Sequence, residues 1–374
     1  MLRKLTTLQQ VLCATVFHML RRRRPALWAV ACMMALASAD AYAGQPRRSF
    51  LARVIESFSE VDTNYIEPQH YNFALMLQNT NNYELYRLSN DKGQSILFAP
   101  QWSVKLGPYF GWRWIFLGYT LDVNHLSNSK RKKEFDISLY SSRFGIDLFY
   151  RKTGNDYLIR SMYLGKDVDT KPLRHTAFSG LNSSVKGFNL YYIFNNKHFS
   201  YPAAFSQSTV QRRSCGSALL GIGYTKHSLN VDWDRLEGII KEKLPANTEA
   251  VIDSSMKVGN VRYTDISVSG GYAYNWVFAR NWLFAASLSA AVGYKSSNSR
   301  TEHTKWSIKD FDFKNFNIDG IGRFGLVWNN TKWFAGVSAI LHSYNYHKDQ
   351  FSTNTAFGNV NIYAGFNFGK RKHQ

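Results

Sequence analysis

The sequence predicts an all-β chain, an antiparallel transmembrane β-barrel of about 12 strands behind a short N-terminal helical lead-in. Three observations carry this reading: apolar alternation along unusually long arms, tight turns that take turns with long polar loops, and an export signal ahead of them. The clearest arms run from Arg262 to Tyr294. On the first, Ile266, Val268, Tyr272, Tyr274 and Trp276 alternate with Asp265, Ser267, Ser269, Gly271, Ala273 and Asn275. Beyond Ala279-Arg280-Asn281, Trp282, Phe284, Ala286, Leu288, Ala290, Val292 and Tyr294 alternate with smaller or polar residues. Successive side chains of a strand point to opposite faces, so each arm has one apolar face and one small or polar face. Soluble strands run to about 5–6 residues, whereas arms of this length suit a tilted membrane crossing. Trp276 and Trp282 flank the tight turn, where an aromatic girdle meets lipid headgroups.

The export signal comes first in the chain. Arg21 to Arg24 form a positive segment, Pro25 to Leu36 a short apolar one, and Ala41-Tyr42-Ala43 a cleavage site. Residues 1–43 therefore read as a signal peptide cleaved near Ala43, with Gly44 as the mature N-terminus. The apolar run is too short for a spanning helix, which needs about 20 residues. Met19 stands just before the arginines, which leaves open whether residues 1–18 are translated. After cleavage Cys215 stands alone, so no internal disulfide holds the exported chain. Aromatic residues make up 16% of the sequence while the mean hydropathy is only −0.32, a pairing that suits lipid-facing aromatics with polar loops. The formal charge of +20 would fit nucleic acid. In an exported chain without a nucleic-acid motif, anionic lipid headgroups or acidic saccharides are the better match.

Residues 44–70 read as a periplasmic lead-in. Phe50, Leu51, Val54, Ile55, Phe58 and Val61 recur at helical spacing and predict a short amphipathic helix, ended by Glu67-Pro68. Packing on the barrel mouth and entry into the lumen as a plug both fit. The barrel itself spans 71–369, followed by a basic tail at 370–374. Its arms begin with Phe73, Leu75 and Leu77 and end with Val360, Ile362, Phe366 and Phe368. Between them lie arms built on Phe135/Ile137/Leu139, Phe144/Ile146/Leu148, Phe188/Leu190/Tyr192 and Leu220/Ile222/Tyr224.

Connections near Gly111, Ser141–Arg143, 195–214, 279–281 and 329–332 join aromatic-rich ends, and all but the third are tight. Those at 78–101, 124–133, 152–186, 227–261, 295–317 and 344–356 are longer and more polar. Bacterial barrels pair short periplasmic turns with long outer loops around an even number of strands, and these connections make twelve. Tyr83–Leu88 and Asp156–Tyr163 also alternate. They are either extensions above the membrane or, if they cross it, an alternative of fourteen strands.

The stretches KLGPYFGWRWIFLGYTLD (105–122), EFDISLYSSRFGIDLFYRKTGND (134–156) and YYIFNNKHFSYPAAFSQSTVQRRSCGS (191–217) resemble a Bacteroidetes family of unknown function with outer-membrane β-barrel character. The resemblance covers roughly 50 to 374, nearly the whole mature chain. It implies an exported barrel of a Gram-negative bacterium. It brings no activity and no catalytic residues. Separately, the final strand, ending in the aromatics Phe366 and Phe368, resembles the signal read by the barrel-assembly machinery.

Two groups of residues are candidates for function. Lys105, Asp122, Asp136, Asp147, Arg151, Asp265, Arg323 and His342 face inward and form a candidate lumen polar network, with Glu134 and Asp319 beside them. Such a network is either structural or part of an ion or solute path. In the inner connection, Tyr201, Pro202, Gln207, Arg212 and Arg213 mark a loop too long and too specific in composition for a plain turn. It packs, plugs the lumen or docks a partner. The sequence has no zinc-spaced Cys/His cluster and no phosphate loop, so no cofactor or metal is expected. The basic run Lys130–Lys133 suits lipopolysaccharide phosphates.

Function then reduces to three readings. The first is an outer-membrane barrel with a filled lumen and a structural, surface or partner-binding role. The second is a narrow channel for small solutes. The third is a lipid-modifying enzyme of the envelope, with His342 or the Asp136/Asp147 pair as the group to test.

Overall fold

The computed structural model describes residues 61–371 except 102–103, 113–114, 119–120, 123–132, 153–156, 246–247, 249, 298–315 and 349. The expected signal peptide, the helix expected from Phe50 onward (Val61 apart) and the basic residues 130–132 lie outside the described residues. The elements in chain order are β1 (Ile66–Pro68), β2 (Tyr71–Asn90), β3 (Ser95–Pro100), β4 (Val104–Trp112), β5 (Ile115–Gly118), β6 (Leu121–Asp122), β7 (Lys133–Tyr140), β8 (Phe144–Lys152) and β9 (Tyr157–Tyr163). A single 3-10 turn (Lys171–Leu173) precedes β10 (Thr176–Ala177), β11 (Leu181–Ile193), helix α1 (Tyr201–Phe205), β12 (Thr209–Gln211) and β13 (Cys215–Val231). Helix α2 (Trp233–Lys243) then leads to β14 (Val261–Ala279), β15 (Trp282–Ser297), β16 (Phe316–Asn329), β17 (Trp333–Lys348) and β18 (Phe351–Lys370).

The strands build an antiparallel β-barrel. Ladders join β7 to β8, β11, β13, β14, β15, β16, β17, β18, β2 and β4 in turn, and β4 pairs both β5 and β6. The last strand closes onto the first over its full length, from Phe351 opposite Asn90 to Lys370 opposite Tyr71. With β5 and β6 taken as two pieces of one arm, the described residues supply twelve arms. Of the two alternatives for the alternating segments inside the long connections, the structure gives extensions of the wall. Tyr83–Leu88 is the continuation of β2, and Tyr157–Tyr163 is β9, which pairs with β3 beside it. The count stays at twelve because these pieces lengthen the wall at the long-loop end without adding arms.

Alternation sorts the side chains as the pattern dictates. Along β15, Leu288 is 63% exposed while its neighbour Ser287 is buried. The apolar outward residues form a belt that includes Leu75, Phe135, Leu148, Leu220, Val268, Leu326 and Ile362. Trp276, Phe278, Trp282, Trp333, Phe366 and Phe368 gather at its tight-turn margin, several in ring contact. The tight turns are chemically specific. Asn281 takes φ 65°, a left-handed conformation that Asn tolerates. Thr331 takes φ 75°, and the turn is secured by Asn329, whose Oδ1 accepts from the Thr331 amide at 2.8 Å, and by Asn330, whose Oδ1 accepts from the Trp333 amide at 2.8 Å.

One connection and the lead-in carry elements that were not expected. The 227–261 connection continues as strand to Val231 and then forms α2, capped by Asp232, whose Oδ1 accepts from the Arg235 amide at 3.1 Å. Leu236 and Ile240 supply the buried stripe of α2. The described part of the lead-in, 61–70, is not helical but carries β1, which pairs antiparallel with β12.

Candidate functional site

Among the described residues, the barrel interior is where the buried charged and polar groups converge, and the chain fills it from both ends. At the tight-turn end, residues 195–214 fold inward instead of bridging β11 and β13 across the rim. Ser200 caps α1, its Oγ accepting from the Ala203 amide at 3.2 Å, and Pro202 fits the first turn, where no partner for its nitrogen is needed. Tyr201 is fully buried, stacked on Tyr140 at 5.8 Å and hydrogen-bonded through its hydroxyl to Ser287 Oγ at 2.5 Å. Ala203 and Ala204 pack on Leu283, Ala285 and Val327 of β15 and β16. Gln207 donates to the Tyr363 hydroxyl at 2.8 Å and accepts from Asn329 Nδ2 at 3.2 Å. Asn275 donates to the Ser200 carbonyl at 2.9 Å and to Gln211 Oε1 at 3.0 Å. The plug thus touches β7, β14, β15, β16 and β18 at once.

The lead-in secures the plug from beneath. The β1–β12 ladder is reinforced by an ion pair of Arg212 with Glu67, and Arg212 also donates to Asn281 Oδ1 at 3.1 Å. Arg213 lies 5.6 Å over the Tyr65 ring, and His198 stands 3.4 Å from Asp62. The hydrogen bond from the Asn64 backbone amide holds the Asp62 carboxyl below its usual value.

Above the plug the interior is layered. Arg323 and Asp147, both nearly fully buried, form an ion pair across the barrel. Ser138 Oγ also donates to Asp147 at 2.7 Å, and the Arg323 guanidinium lies 4.8 Å over Tyr191. Next comes an apolar layer of Phe149, Val185, Tyr344 and Phe357, with His342 packed 5.1 Å from Phe357. A second charged layer follows. Arg151 donates to Glu84 Oε1 at 3.2 Å and to Asp136 Oδ2 at 2.7 Å, and Tyr157 donates to Glu84 Oε2. Opposite them Lys295 pairs with Asp319 at 2.8 Å. Asp265 faces Lys295 in the β14–β15 register, with no hydrogen-bond partner among the described residues.

At the long-loop end an apolar cap seals the stack. Leu236, Ile240, Leu244, Ile252 and Met256, from α2 and the chain after it, pack on Leu88, Phe98, Tyr157, Phe178, Leu229 and Tyr346 of the extended wall. Lys92 clamps the cap from the rim, 2.6 Å from Asp253, and this hydrogen bond holds the Asp253 carboxyl well below its usual value.

The structure brings Asp136 and Arg151 into one cluster and Asp147 and Arg323 into another, so the lumen residues divide into separate layers rather than one chain of sites. Lys105 lies opposite Asp122 in the β4–β6 register. His342 sits between aromatic rings with no hydroxyl on its Nδ1 among the described residues. Among the described residues no group of His, Cys, Asp and Glu could hold a metal. Cys215 is half-buried at a strand start, its sulfur accepting from Asn195 Nδ2 at 3.0 Å. Glu84 and Lys295 were missed in sequence. Each continues its arm's inward parity, Glu84 from Ala74 and Met76 and Lys295 from Ala291 and Gly293, so carrying the alternation into the apparent loops finds both.

The Tyr201–Ser287 contact gives a direct test of the plug. Tyr201→Phe should cost about 1 to 3 kcal/mol by leaving the buried Ser287 hydroxyl without its partner, and Tyr201→Phe with Ser287→Ala should restore most of it. A double-mutant cycle of unfolding in urea reads the coupling; additive losses would mean that the hydroxyls do not interact.

A family model described as a domain of unknown function (DUF4421) matches residues 60–368. No curated protein matches the chain. Among solved structures, the transport unit of the autotransporter AIDA-I from Escherichia coli is 10% identical, with 93% of this chain and 100% of that chain covered and a TM-score of 0.27. The toluene transporter TodX of P. putida is 9% identical (80% and 91% covered, TM-score 0.21), and OmpT of Vibrio cholerae is 9% identical (78% and 98% covered, TM-score 0.24). At these scores the likenesses carry no argument about this chain.

Proposed function

The chain belongs to that family, the domain of unknown function DUF4421, and we propose that its role in it is that of an outer-membrane β-barrel closed by its own plug and cap, a surface scaffold that binds partners at its rim and does not conduct. The observation that carries this reading is the inward fold of residues 195–214, tied to β15, β16 and β18 by Tyr201, Gln207 and their partners. Membrane residence is supported by the outward belt. A contiguous apolar surface on this scale, rimmed by tryptophan and phenylalanine, is far larger than soluble monomers tolerate. The tight turns then face the periplasm and the long-loop end faces outward.

Purified mature protein in planar bilayers should show no steady conductance. Persistent ohmic steps from the intact chain would overturn the closed reading. The channel reading keeps one specific support. Small inward residues beside the plug, among them Ala285, Ser287, Gly325 and Ser338, leave room for a pore that the plug now occupies, and non-covalent contacts alone hold it there. Replacing residues 199–211 by a short Gly-Ser linker should therefore open conductance in a barrel that still runs as a heat-modifiable band. A folded, silent deletion variant would leave the cap as a sufficient seal and remove the channel alternative.

A further inference from the structure

Among the described residues, outward charge in the long-loop half clusters on four neighbouring strands, with Arg87 of β2 standing apart from them beside β18. On β8, β11, β13 and β14 the outward residues ascend from an apolar and aromatic rung, Leu148, Phe188, Tyr224 and Ile266, which lie opposite one another in register. On the rung above stand Lys186 and Lys226, directly paired, and on the next stand Lys152 and Arg262, separated by Ser184 and Ser228. All four cations are exposed, and none is in an ion pair with a described residue. Lys226 reaches back over the Tyr224 ring at 6.0 Å, and Phe188 stacks on that same ring at 6.1 Å. Among the described residues, the outward positions of these four strands carry no Asp or Glu. On the other side, the corresponding half of β15 to β18 presents Ser296, Asn345 and Asn354 and no outward Lys or Arg among the described residues.

Strands about 4.8 Å apart and outward rungs about 7 Å apart put the four cations on a patch roughly 15 Å by 7 Å. That patch sits just above the apolar belt, at the level where acyl chains give way to headgroups. We infer that this face of the barrel is a docking surface for an outer-leaflet lipid carrying more than one phosphate, its chains lying on the Leu148–Phe188–Tyr224–Ile266 rung and below, and its phosphates held by Lys152, Lys186, Lys226 and Arg262. Two features favour a phosphorylated lipid over a soluble anion. The cations are continuous with the apolar belt, and they are spread across several strands instead of converging on one pocket. The assignment rests on the outer-membrane reading with the long-loop end outward.

The test uses the refolded mature chain in detergent micelles, titrated with bis-phosphorylated lipid A and, separately, with lipid A stripped of both phosphates, with retained lipid counted by native mass spectrometry. The wild-type barrel should prefer the phosphorylated form by about a hundredfold or more, since each basic contact contributes severalfold. The variant Lys152→Gln/Lys186→Gln/Lys226→Gln/Arg262→Gln should lose that preference. The control Lys166→Gln/Lys171→Gln/Lys241→Gln/Lys243→Gln removes the same charge from the loops and α2 and should keep it. Equal retention of the two lipids by wild type, an unchanged preference in the first variant, or an equal loss in the control would overturn the proposal. So would displacement of the lipid by inorganic phosphate at equal concentration. A chain that shows no heat-modifiable folded form in micelles would fail earlier, and would refute the barrel reading instead of this surface.

Discussion

Replacing Arg323 by methionine should destabilise the barrel by about 3 to 5 kcal/mol, because it leaves Asp147 charged and unpaired in a packed interior. Ser138 and the Tyr191 ring were arranged around the intact pair, and neither offers the carboxylate a replacement charge. Removing both partners is a milder change. Arg323→Met with Asp147→Leu should recover most of the loss, since well-packed apolar groups replace buried ion pairs at little cost. Reversible urea unfolding from lipid vesicles measures each variant. A double variant no better than the single would show that packing, not the ion pair, accounts for the loss.

The second large effect concerns the outward face. With the belt in hydrocarbon, Leu288→Arg and Val337→Arg should each cost about 2 to 4 kcal/mol near the midplane. The alternation alone would make charge cheaper at the neighbouring Ser287 and Ser338, in a polar interior. The structure changes that expectation, because Ser287 lies beneath Tyr201 and Ser338 is buried in the filled lumen. Aspartate at Ser287 should still give a membrane-inserted, heat-modifiable barrel, but one with a loosened plug and measurable conductance. Aspartate at Leu288 should reduce assembly and leave the plug of any folded fraction intact. Harmless arginines at Leu288 and Val337 would mean that this face does not meet lipid, and a soluble β-sandwich would then be the better description.

These tests also mark what the sequence could and could not convey. The arms were legible because burial on one face imposes a period of two, and the registers of β13 to β18 follow that parity apart from one shift between Val277 and Ala279. The long-loop end was harder. Glu84 and Lys295 look like loop residues when the apolar face stops, yet their strands continue past the belt, where outward positions turn polar and the contrast disappears. Helix α2 is too short and too polar to stand out, since Leu236 and Ile240 are its only fully buried residues. For the inner loop, composition showed that residues 195–214 were more than a turn, but not that Tyr201 would find Ser287, 86 positions away. Pairings over that distance leave no local pattern. Inward charges were recognisable by parity, while their sorting into an Arg323–Asp147 layer and an Arg151–Glu84–Asp136 layer depends on strand heights that only the registers reveal.

The pairing of β18 with β2 has a consequence for the order of assembly. Its twenty-residue strands join the two ends of the barrel, with Tyr71 meeting Lys370. Contacts so distant in sequence form slowly, because a long loop must close before they return any energy. Until β18 arrives, β2 presents an unpaired edge, and such an edge recruits other chains. The inner loop must fold inward within the same interval, because Tyr363 of β18 supplies one of its anchors. The final zipping of β18 thus removes the aggregation-prone edge and locks the plug in a single late event. A chain halted before that point would be both sticky and open.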